Sequence, residues 1–452
     1  MGVWDEIREL WPHASREAGD PLPNPGGAVI HEVLDPRFLR DRLGEVRELG
    51  PGEIPDQVYG EMFERLEQDE ASPVSGADPE GGKQAYLPRS PAISLLQSTL
   101  TDCFISRLDD LVRPLPPGND SYADFVLKEF EDVLRKFGPC DPGWVESVIA
   151  KGLSQLRHRP RFVDGQAPDV DVADDARIVV VGDWGTGLTW AQAVGREMAR
   201  HVAVAKDDGR EVHVLHLGDV YYSGWREEYR SRFLPYWPVR SADEGVGSWA
   251  LNGNHDMYSG GHGYFGYLLR EPRFARQNES SYFCLQNDHW QLLGLDSAYE
   301  DNDLAGDQGD WVADKQRASE RRTMLLTHHQ PHTAFVKRKR PPMLDRLEKA
   351  FAIRPADAWL WGHEHLCCVY QPRTFLGIDF ASCIGHGGVP VLLDEHQGLP
   401  AEVKWRATEH QMIYGHPWQL FGFAVLDLAG PDIDVVYHDQ NGGAPVHRER
   451  IE

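Results

Sequence analysis

The sequence has few cysteines and no long apolar run, and each shortage argues against a class of protein. The six cysteines form no CxxC pair and no dense pattern, which argues against a disulfide-built scaffold and predicts reduced thiols. No stretch comes near the roughly 18 to 20 apolar residues that span a bilayer. The opening residues MGVWDEIREL are acidic where a secretion signal would be basic and then apolar. A cytoplasmic protein with no membrane partner is therefore expected.

Basic residues are scarce beside acidic ones. The chain has 46 Lys and Arg against 71 Asp and Glu, a formal net charge of −25. Such a chain repels phosphate backbones, so no nucleic-acid partner is expected. Hydrophobic residues make up 41% of the chain, as in ordinary globular proteins, and this argues against disorder of the whole. The length of 452 residues suggests two or three domains.

The first region, residues 1–170, is predicted to be mainly helical and acidic. Helical spacing of apolar residues is clearest over 93–112 and 122–137. We find neither a metal-ligand cluster nor a phosphate-binding loop there, so its role is not predicted. Residues 164–175 (DGQAPDVDVADD) have the turn-rich, acidic character of a linker.

The second region, residues 171–452, alternates short apolar runs with helical stretches. This pattern predicts an α/β layered domain, with helices over 190–205 and 226–236. The adjacent Cys367 and Cys368 are interpreted as buried strand thiols rather than as a soft metal site. The predicted strands before residue 370 lie at 178–181, 212–217, 249–251, 282–285, 290–295, 324–326 and 358–361.

Polar residues able to bind a metal follow five of these strands. They are Asp183, then Asp219 with Tyr222, then Asn254 with His255 and Asp256, then His328 with His329, then His363 with His365. Strand ends in an open α/β sheet converge on one crevice, where ligands bind. Five unrelated turns are the alternative, because Gly and Asp are common in turns. Five such sites in one domain favour a single metal site, and Asp, His, Asn and Tyr suit Fe, Mn or Zn.

The motifs GDWG, GDVYY, GNHD, THHQP and GHEH, in this order, resemble the calcineurin-like metallophosphoesterase superfamily. Within it they are most similar to the purple acid phosphatase branch, over about residues 176–385. The resemblance implies an α/β fold, a β-sandwich flanked by helices. Many superfamily members have DxH in the first motif, but here Gly185 stands at the histidine position. Tyr222 stands where the purple acid phosphatases have a metal-bound tyrosinate, which would fill the vacancy.

The resemblance also implies two metal ions, Fe(III) with Fe(II), Mn(II) or Zn(II), that share Asp219. The first ion would be held by Asp183, Asp219, Tyr222 and His365. The second would be held by Asp219, Asn254, His363 and one of two adjacent histidines. For that place the H-x-P pattern favours His329, and His328 would lie beside it.

His255 is the expected proton donor to the leaving group, and Asp256 is expected to orient its imidazole. His262 and His332 are weaker candidates for substrate contact. The expected activity is hydrolysis of a small phosphomonoester by an activated hydroxide. A phosphodiesterase or nucleotide pyrophosphatase with the same metal pair is the first alternative. A catalytically silent metal-binding regulatory protein is the second. The sequence predicts no oligomeric state.

Overall fold

The described part of the chain begins after the predicted helical region. The computed structural model describes residues 159–240, 245–335, 339–391, 393, 398–413 and 416–452. The chain divides after His158, and the described residues belong to the second unit, Arg159–Glu452. The helices predicted over 93–112 and 122–137 lie outside the described residues. The domain boundary expected near residue 170 stays a prediction.

Sixteen strands are found among the described residues. In chain order they are β1 (Asp169–Asp171), β2 (Arg177–Val181), β3 (Val212–His216), β4 (Val246–Ala250), β5 (Phe283–Gln286), β6 (Trp290–Gly294), β7 (Arg322–Thr327), β8 (Ala358–Trp361), β9 (Cys367–Tyr370), β10 (Phe380–Ile384), β11 (Val403–Arg406), β12 (His410–Ile413), β13 (His416–Gln419), β14 (Gly422–Ala429), β15 (Asp432–Asp439) and β16 (His447–Ile451).

Seven α-helices connect or flank these strands in the described ranges. They are α1 (Thr189–Asp207), α2 (Arg226–Glu228), α3 (Asn254–Tyr258), α4 (His262–Gly266), α5 (Gln308–Ala318), α6 (Met343–Arg346) and α7 (Glu348–Ile353). A π-helical turn, Tyr229–Phe233, continues α2, and 3-10 turns span Leu268–Arg270 and Pro272–Gln277. None of the helices in these ranges is both long and apolar enough to cross a bilayer.

The strands form two large sheets and one hairpin. The six-stranded sheet has the order β16-β15-β14-β2-β3-β4, and the eight-stranded sheet the order β1-β5-β6-β7-β8-β10-β9-β11. Strands β2, β3 and β4 are parallel to one another, and so are β6, β7 and β8. The carboxyl ends within each parallel set therefore lie along one edge of its sheet.

The main core lies between the two sheets. Alternate strand residues face inward, because side chains on a strand point to opposite faces in turn. Ile178 and Val180 of β2 join Leu292 of β6 and Leu360 of β8 in one buried cluster. Residues of the opposite alternation on the eight-stranded sheet, such as Leu293, pack in a second cluster with α5 to α7. The expected β-sandwich flanked by helices is confirmed.

The differences from the predicted elements are local. Residues 169–171 of the predicted linker form strand β1, which pairs in parallel with β5. A short polar segment can serve as an edge strand because only one side of it pairs. The helix predicted over 226–236 is α2 followed by the π-helical turn. Cys367 and Cys368 are buried free thiols of β9, as interpreted from the sequence.

Candidate metal centre

The carboxyl ends of the parallel strands carry the residues singled out in the sequence. Asp183, Asp219 and Asn254 follow β2, β3 and β4 of the six-stranded sheet. His328 and His363 follow β7 and β8 of the eight-stranded sheet. The two sheets thus contribute different residue types to one place.

Four of the candidate ligands have left-handed backbone. The φ angles are 56° at Asp183, 74° at Asp219, 69° at His363 and 48° at His365. Residues other than glycine adopt this region rarely and at a cost in energy, and such residues concentrate at functional sites. The fold therefore keeps these four residues in an unfavourable backbone conformation, and this conformation sets the direction of their side chains.

A first group of donor atoms surrounds the hydroxyl of Tyr221. This hydroxyl lies 3.1 Å from Asp183 Oδ1, 3.2 Å from Asp219 Oδ2 and 2.9 Å from His365 Nε2. His365 Nε2 is also 3.5 Å from Asp183 Oδ1. The donor atoms of Asp183, Asp219 and His365 all lie within 4.8 Å of one another, close enough to share a metal ion.

The phenol in this group is not the one expected from motif spacing. Tyr222 has its ring beside the Arg232 guanidinium, with 5.3 Å between the ring centre and Cζ. The preceding residue, Tyr221, donates its N–H to Gly185 O at 3.0 Å and turns its side chain to the carboxylates. The structure therefore places the phenol of Tyr221 among these donor atoms, and Tyr222 as a metal ligand stays a prediction.

A second group joins Asn254 to two imidazoles. Asn254 Oδ1 lies 2.9 Å from His328 Nε2 and 2.9 Å from His363 Nδ1. These two nitrogens are 3.2 Å apart. Asn254 Nδ2 donates to the Tyr258 hydroxyl at 2.7 Å, and this bond keeps the amide oxygen turned to the imidazoles.

The adjacent histidines of the THHQP motif have different neighbours, although both lie with His363 in a group whose donor atoms are within 4.8 Å of one another. His328 Nε2 approaches Asp219 Oδ2 to 3.4 Å, and its Nδ1 is held by Leu217 O at 3.0 Å. His329 Nδ1 lies 3.1 Å from Ser297 Oγ, and its Nε2 lies 3.8 Å from Asp301 Oδ1. His329 remains near, with its ring centre 4.8 Å from that of His363. The preference for His329 from the H-x-P pattern stays a prediction, and the approach of His328 to Asp219 favours His328 as the alternative.

Asp219 belongs to both groups. Its Oδ2 lies 3.2 Å from the Tyr221 hydroxyl on one side and 3.4 Å from His328 Nε2 on the other. Its Oδ1 accepts the His255 N–H at 2.9 Å, which fixes the carboxylate in the plane between the groups. One carboxylate oxygen thus lies beside a donor atom of each group.

Two glycines permit the close approach of these segments. A Cβ atom at Gly253 would lie 2.0 Å from Asp219 Oδ1, and one at Gly362 would lie 2.6 Å from Asp183 Oδ2. Any side chain at either position would displace a candidate ligand. The glycines of GNHD and GHEH are therefore required by packing against the carboxylates.

The spacing and chemistry of the two groups fit metal ions. Two donors about 2.0–2.1 Å from one tetrahedrally coordinated ion lie about 3.4 Å apart. The donor pairs described above are separated by 2.9 to 3.5 Å. Carboxylate, phenol, amide and imidazole donors without thiolate suit iron, manganese or zinc.

Electrostatics also favour a cation here. Burial raises the pKa of Asp183 to about 8, and burial together with the charges of Asp183 and Asp256 raises the pKa of Asp219. Burial lowers the pKa of His328, so this imidazole is neutral and adds no compensating charge. A bound cation would offset the repulsion and allow both carboxylates to ionise at neutral pH.

The imidazole of His255 faces the shared carboxylate. Its Nδ1 donates to Tyr222 O at 2.7 Å, and its Nε2 lies 4.0 Å from Asp219 Oδ2. The ring is buried and tilted against that of Tyr221, with 4.5 Å between the centres. A proton held on Nε2 is therefore directed to the space beside both groups.

Asp256 does not have the place predicted for it. Its Oδ2 accepts the N–H groups of Gly253 at 2.7 Å and Asp219 at 2.9 Å, and its Oδ1 accepts that of Val220 at 3.1 Å and the Tyr229 hydroxyl. Consecutive side chains on a helix do not face each other, so His255 and Asp256 diverge on α3. Asp256 holds the backbone around the site, and Tyr222 O orients the imidazole instead.

The two weaker candidates lie at less direct positions. His262 is exposed at the start of α4. His332 is partly exposed, with its Nε2 2.6 Å from Glu402 Oε2 and its ring stacked on Phe375. Their contact with a substrate stays a prediction.

Sequence reasoning missed Tyr221 and also the buried ion pair of Glu228 and Arg232 that lies against the same loop. The motif GDVYY contains two adjacent tyrosines, so Tyr221 could have been considered beside Tyr222. The i, i+4 spacing of Glu228 and Arg232 in a predicted helix is a common pattern of surface ion pairs. In this structure the pair is largely shielded from solvent.

Comparisons with known proteins agree with this geometry at the level of the family. Residues 176–367 match the calcineurin-like phosphoesterase family. This family hydrolyses phosphoester bonds and depends on metal ions. No curated protein matches the sequence significantly.

Similar solved structures include GAP50, the anchor in the inner membrane complex of Plasmodium, at 11% identity and a TM-score of 0.43, covering 62% of this chain and 89% of that one. A dimetal phosphatase from Danio rerio is 12% identical with a TM-score of 0.40, covering 61% and 98%. A predicted phosphoesterase from Streptococcus pneumoniae is 13% identical with a TM-score of 0.29, covering 61% and 97%.

Proposed function

We propose that this chain, through its calcineurin-like metallophosphoesterase domain, hydrolyses phosphomonoesters with two metal ions and with His255 as the general acid. The observation that carries the proposal is the position of Asp219 Oδ2, which lies between the Tyr221 hydroxyl and His328 Nε2. A single carboxylate oxygen placed between two donor groups is the arrangement that a pair of ions needs.

The chain supplies distinct ligands for the two ions. Asp183, Asp219, Tyr221 and His365 would hold the first ion, and Asp219, Asn254, His328 and His363 the second. A metal pair supplies positive charge for the phosphoryl oxygens and lowers the pKa of water. The phenol of Tyr221 supports a trivalent ion at the first place and with it a purple acid phosphatase-like branch, because an anionic phenolate favours Fe(III) over a divalent ion.

His255 is suited to protonate the leaving oxygen. Donation from Nδ1 to Tyr222 O at 2.7 Å fixes the ring and leaves Nε2 as the nitrogen that can exchange a proton. Nε2 lies on the side of Asp219, beside both donor groups. An acid in this place contributes most when the leaving alkoxide is a poor one.

The first experiment measures turnover and metal content of the full chain. After reconstitution with iron and zinc or manganese, we expect about two ions per chain and faster hydrolysis of phenyl phosphate than of bis(4-nitrophenyl) phosphate. His255→Ala should lower kcat for phenyl phosphate about 10²- to 10⁴-fold while both ions remain bound.

Three results would overturn the proposal or a part of it. Absence of bound metal after reconstitution would remove the dinuclear site. Preference for the diester would transfer the assignment to a phosphodiesterase with the same ligands. Full activity of His255→Ala would leave the metals in place and remove the assigned acid.

A further inference from the structure

A buried ion pair lies behind the loop that connects β3 to α2. Glu228 and Arg232 approach to 2.9 Å between Oε1 and Nη1, with side chains 1% and 14% exposed. Neither residue contributes a donor atom to the two candidate metal groups. The loop in front of them carries Asp219, Tyr221 and the Tyr222 carbonyl that orients His255.

Glu228 binds the backbone of that loop at three places. Its carboxylate accepts the N–H of Tyr222, that of Ser223 at 3.0 Å and that of Trp225 at 3.0 Å. Charge-assisted hydrogen bonds of this kind are the stronger ones in proteins. The peptide planes from Tyr222 to Trp225 are thereby fixed from one side chain.

Arg232 binds the residue before them. Its Nη1 donates to Tyr221 O at 2.6 Å as well as to Glu228, and its guanidinium lies against the Tyr222 ring. The carbonyl of Tyr221 and the N–H of Tyr222 belong to one peptide plane. The ion pair therefore forms hydrogen bonds with both polar atoms of the peptide that joins the two tyrosines.

We infer that Glu228 and Arg232 are positioning residues that set the orientation of the His255 imidazole through the Tyr221–Tyr222 peptide. The next carbonyl along the chain, Tyr222 O, accepts from His255 Nδ1 at 2.7 Å. A rotation of the Tyr221–Tyr222 peptide would move the Tyr222 carbonyl. The His255 ring would then turn its Nε2 away from the leaving oxygen. This inference rests on the proposed function, because it assumes that His255 is the acid.

Stability alone does not account for a charged pair at this place. Buried ion pairs can often be replaced by apolar side chains of similar volume without loss of stability, since desolvation offsets their attraction. The bonds of this pair go to the peptide groups next to the candidate ligands. These hydrogen bonds fix the orientation of the peptide groups, which an apolar pair of side chains could not do.

The test compares two substrates with different leaving groups. An alkyl phosphate needs a proton on its leaving oxygen, whereas 2,4-dinitrophenolate leaves without one. Arg232→Met should lower kcat about 10²-fold for the alkyl phosphate and less than about threefold for 2,4-dinitrophenyl phosphate. Arg232→Lys, which retains one donor for Tyr221 O, should recover part of the loss.

Three further measurements separate positioning from general damage. Metal content by elemental analysis should stay at the native value, and amide hydrogen exchange of a peptide over residues 219–225 should accelerate. In a His255→Ala background, Arg232→Met should cause almost no further loss on the alkyl phosphate. The matched control is Arg177→Met, which breaks a similarly buried pair with Asp427 and should leave the substrate ratio unchanged.

Glu228→Gln should give the same pattern as Arg232→Met. If that variant does not fold, the Arg232 variants decide alone. Equal losses on both substrates, or a full additional loss in the His255→Ala background, would overturn the inference. Failure of the native enzyme to hydrolyse either substrate with metals bound would instead overturn the proposed function.

Discussion

The two sheets supply chemically different halves of the candidate metal centre. The six-stranded sheet presents oxygen donors at the ends of β2, β3 and β4, namely Asp183, Asp219, Tyr221 and Asn254. The eight-stranded sheet contributes the imidazoles that follow β7 and β8. The site therefore lies between an edge of oxygen donors, which we call the anionic edge because two of its members are carboxylates, and an imidazole edge.

The two edges have opposite electrostatic problems. Burial raises the pKa of Asp183 to about 8, so ionised carboxylates there are costly without a cation. Burial lowers the pKa of His328, so this imidazole is a neutral ligand at physiological pH. The anionic edge would determine how much positive charge is held, and the imidazole edge would determine where the second ion lies.

The comparison also concerns the place of the proposed acid. His255 lies at the anionic edge, as the second residue of helix α3, which follows β4. Its Nε2 lies 4.0 Å from Asp219 Oδ2. The proposed acid is therefore next to the carboxylate that belongs to both groups.

The largest effect is expected for the residue that joins the two edges. Asp219→Asn removes the shared charge while the Oδ1 acceptor for His255 N–H remains possible. We expect loss of both ions and a fall in activity beyond the about 10–100-fold typical of residues that only support a ligand. Elemental analysis and phenyl phosphate turnover measure the two losses.

Asp357→Asn is the control for Asp219→Asn. Asp357 pairs with Arg322 near the opposite end of β7 and β8, at 3.3 Å. It should retain both ions and activity. If Asp219→Asn retained two ions, the two edges would bind metal independently. Asp219 would then not be the residue that joins them.

A smaller, one-sided effect is expected on the imidazole edge. His328→Ala should lose one of the two ions, because His328 Nε2 contacts both Asn254 Oδ1 and Asp219 Oδ2. His329→Ala is the matched control and should retain both ions, since His329 is bound by Ser297. The opposite outcome would restore the ligand that the H-x-P pattern favoured.

The positions of the edges could be predicted from the sequence because they depend on strands alone. Apolar runs that end in Gly-Asp, Gly-Asn or Gly-His mark where buried strands stop, and parallel strands stop on one side. The glycines were informative for the same reason, since Gly253 and Gly362 must lie against carboxylates. Fold and site location follow from such local patterns.

The choice within each adjacent pair could not be predicted in this way. A local motif does not show which member of Tyr221 and Tyr222, or of His328 and His329, faces the carboxylates. Glu228 and Arg232, which bind the peptide between the two tyrosines, lie outside the motif. The prediction that Asp256 orients His255 was wrong for a related reason, because consecutive side chains on a helix do not face each other.

The smallest expected effect on turnover is also the clearest in a spectrum. Iron-loaded protein should show a purple or pink charge-transfer band from phenolate on Fe(III). Tyr221→Phe should remove this band while activity falls less than in Asp219→Asn, because Asp183, Asp219 and His365 would still hold the first ion. Tyr222→Phe should retain the colour, because its ring lies against Arg232. Loss of colour in Tyr222→Phe alone would return the ligand to the motif position, and an active iron enzyme without colour would exclude a tyrosinate from the anionic edge.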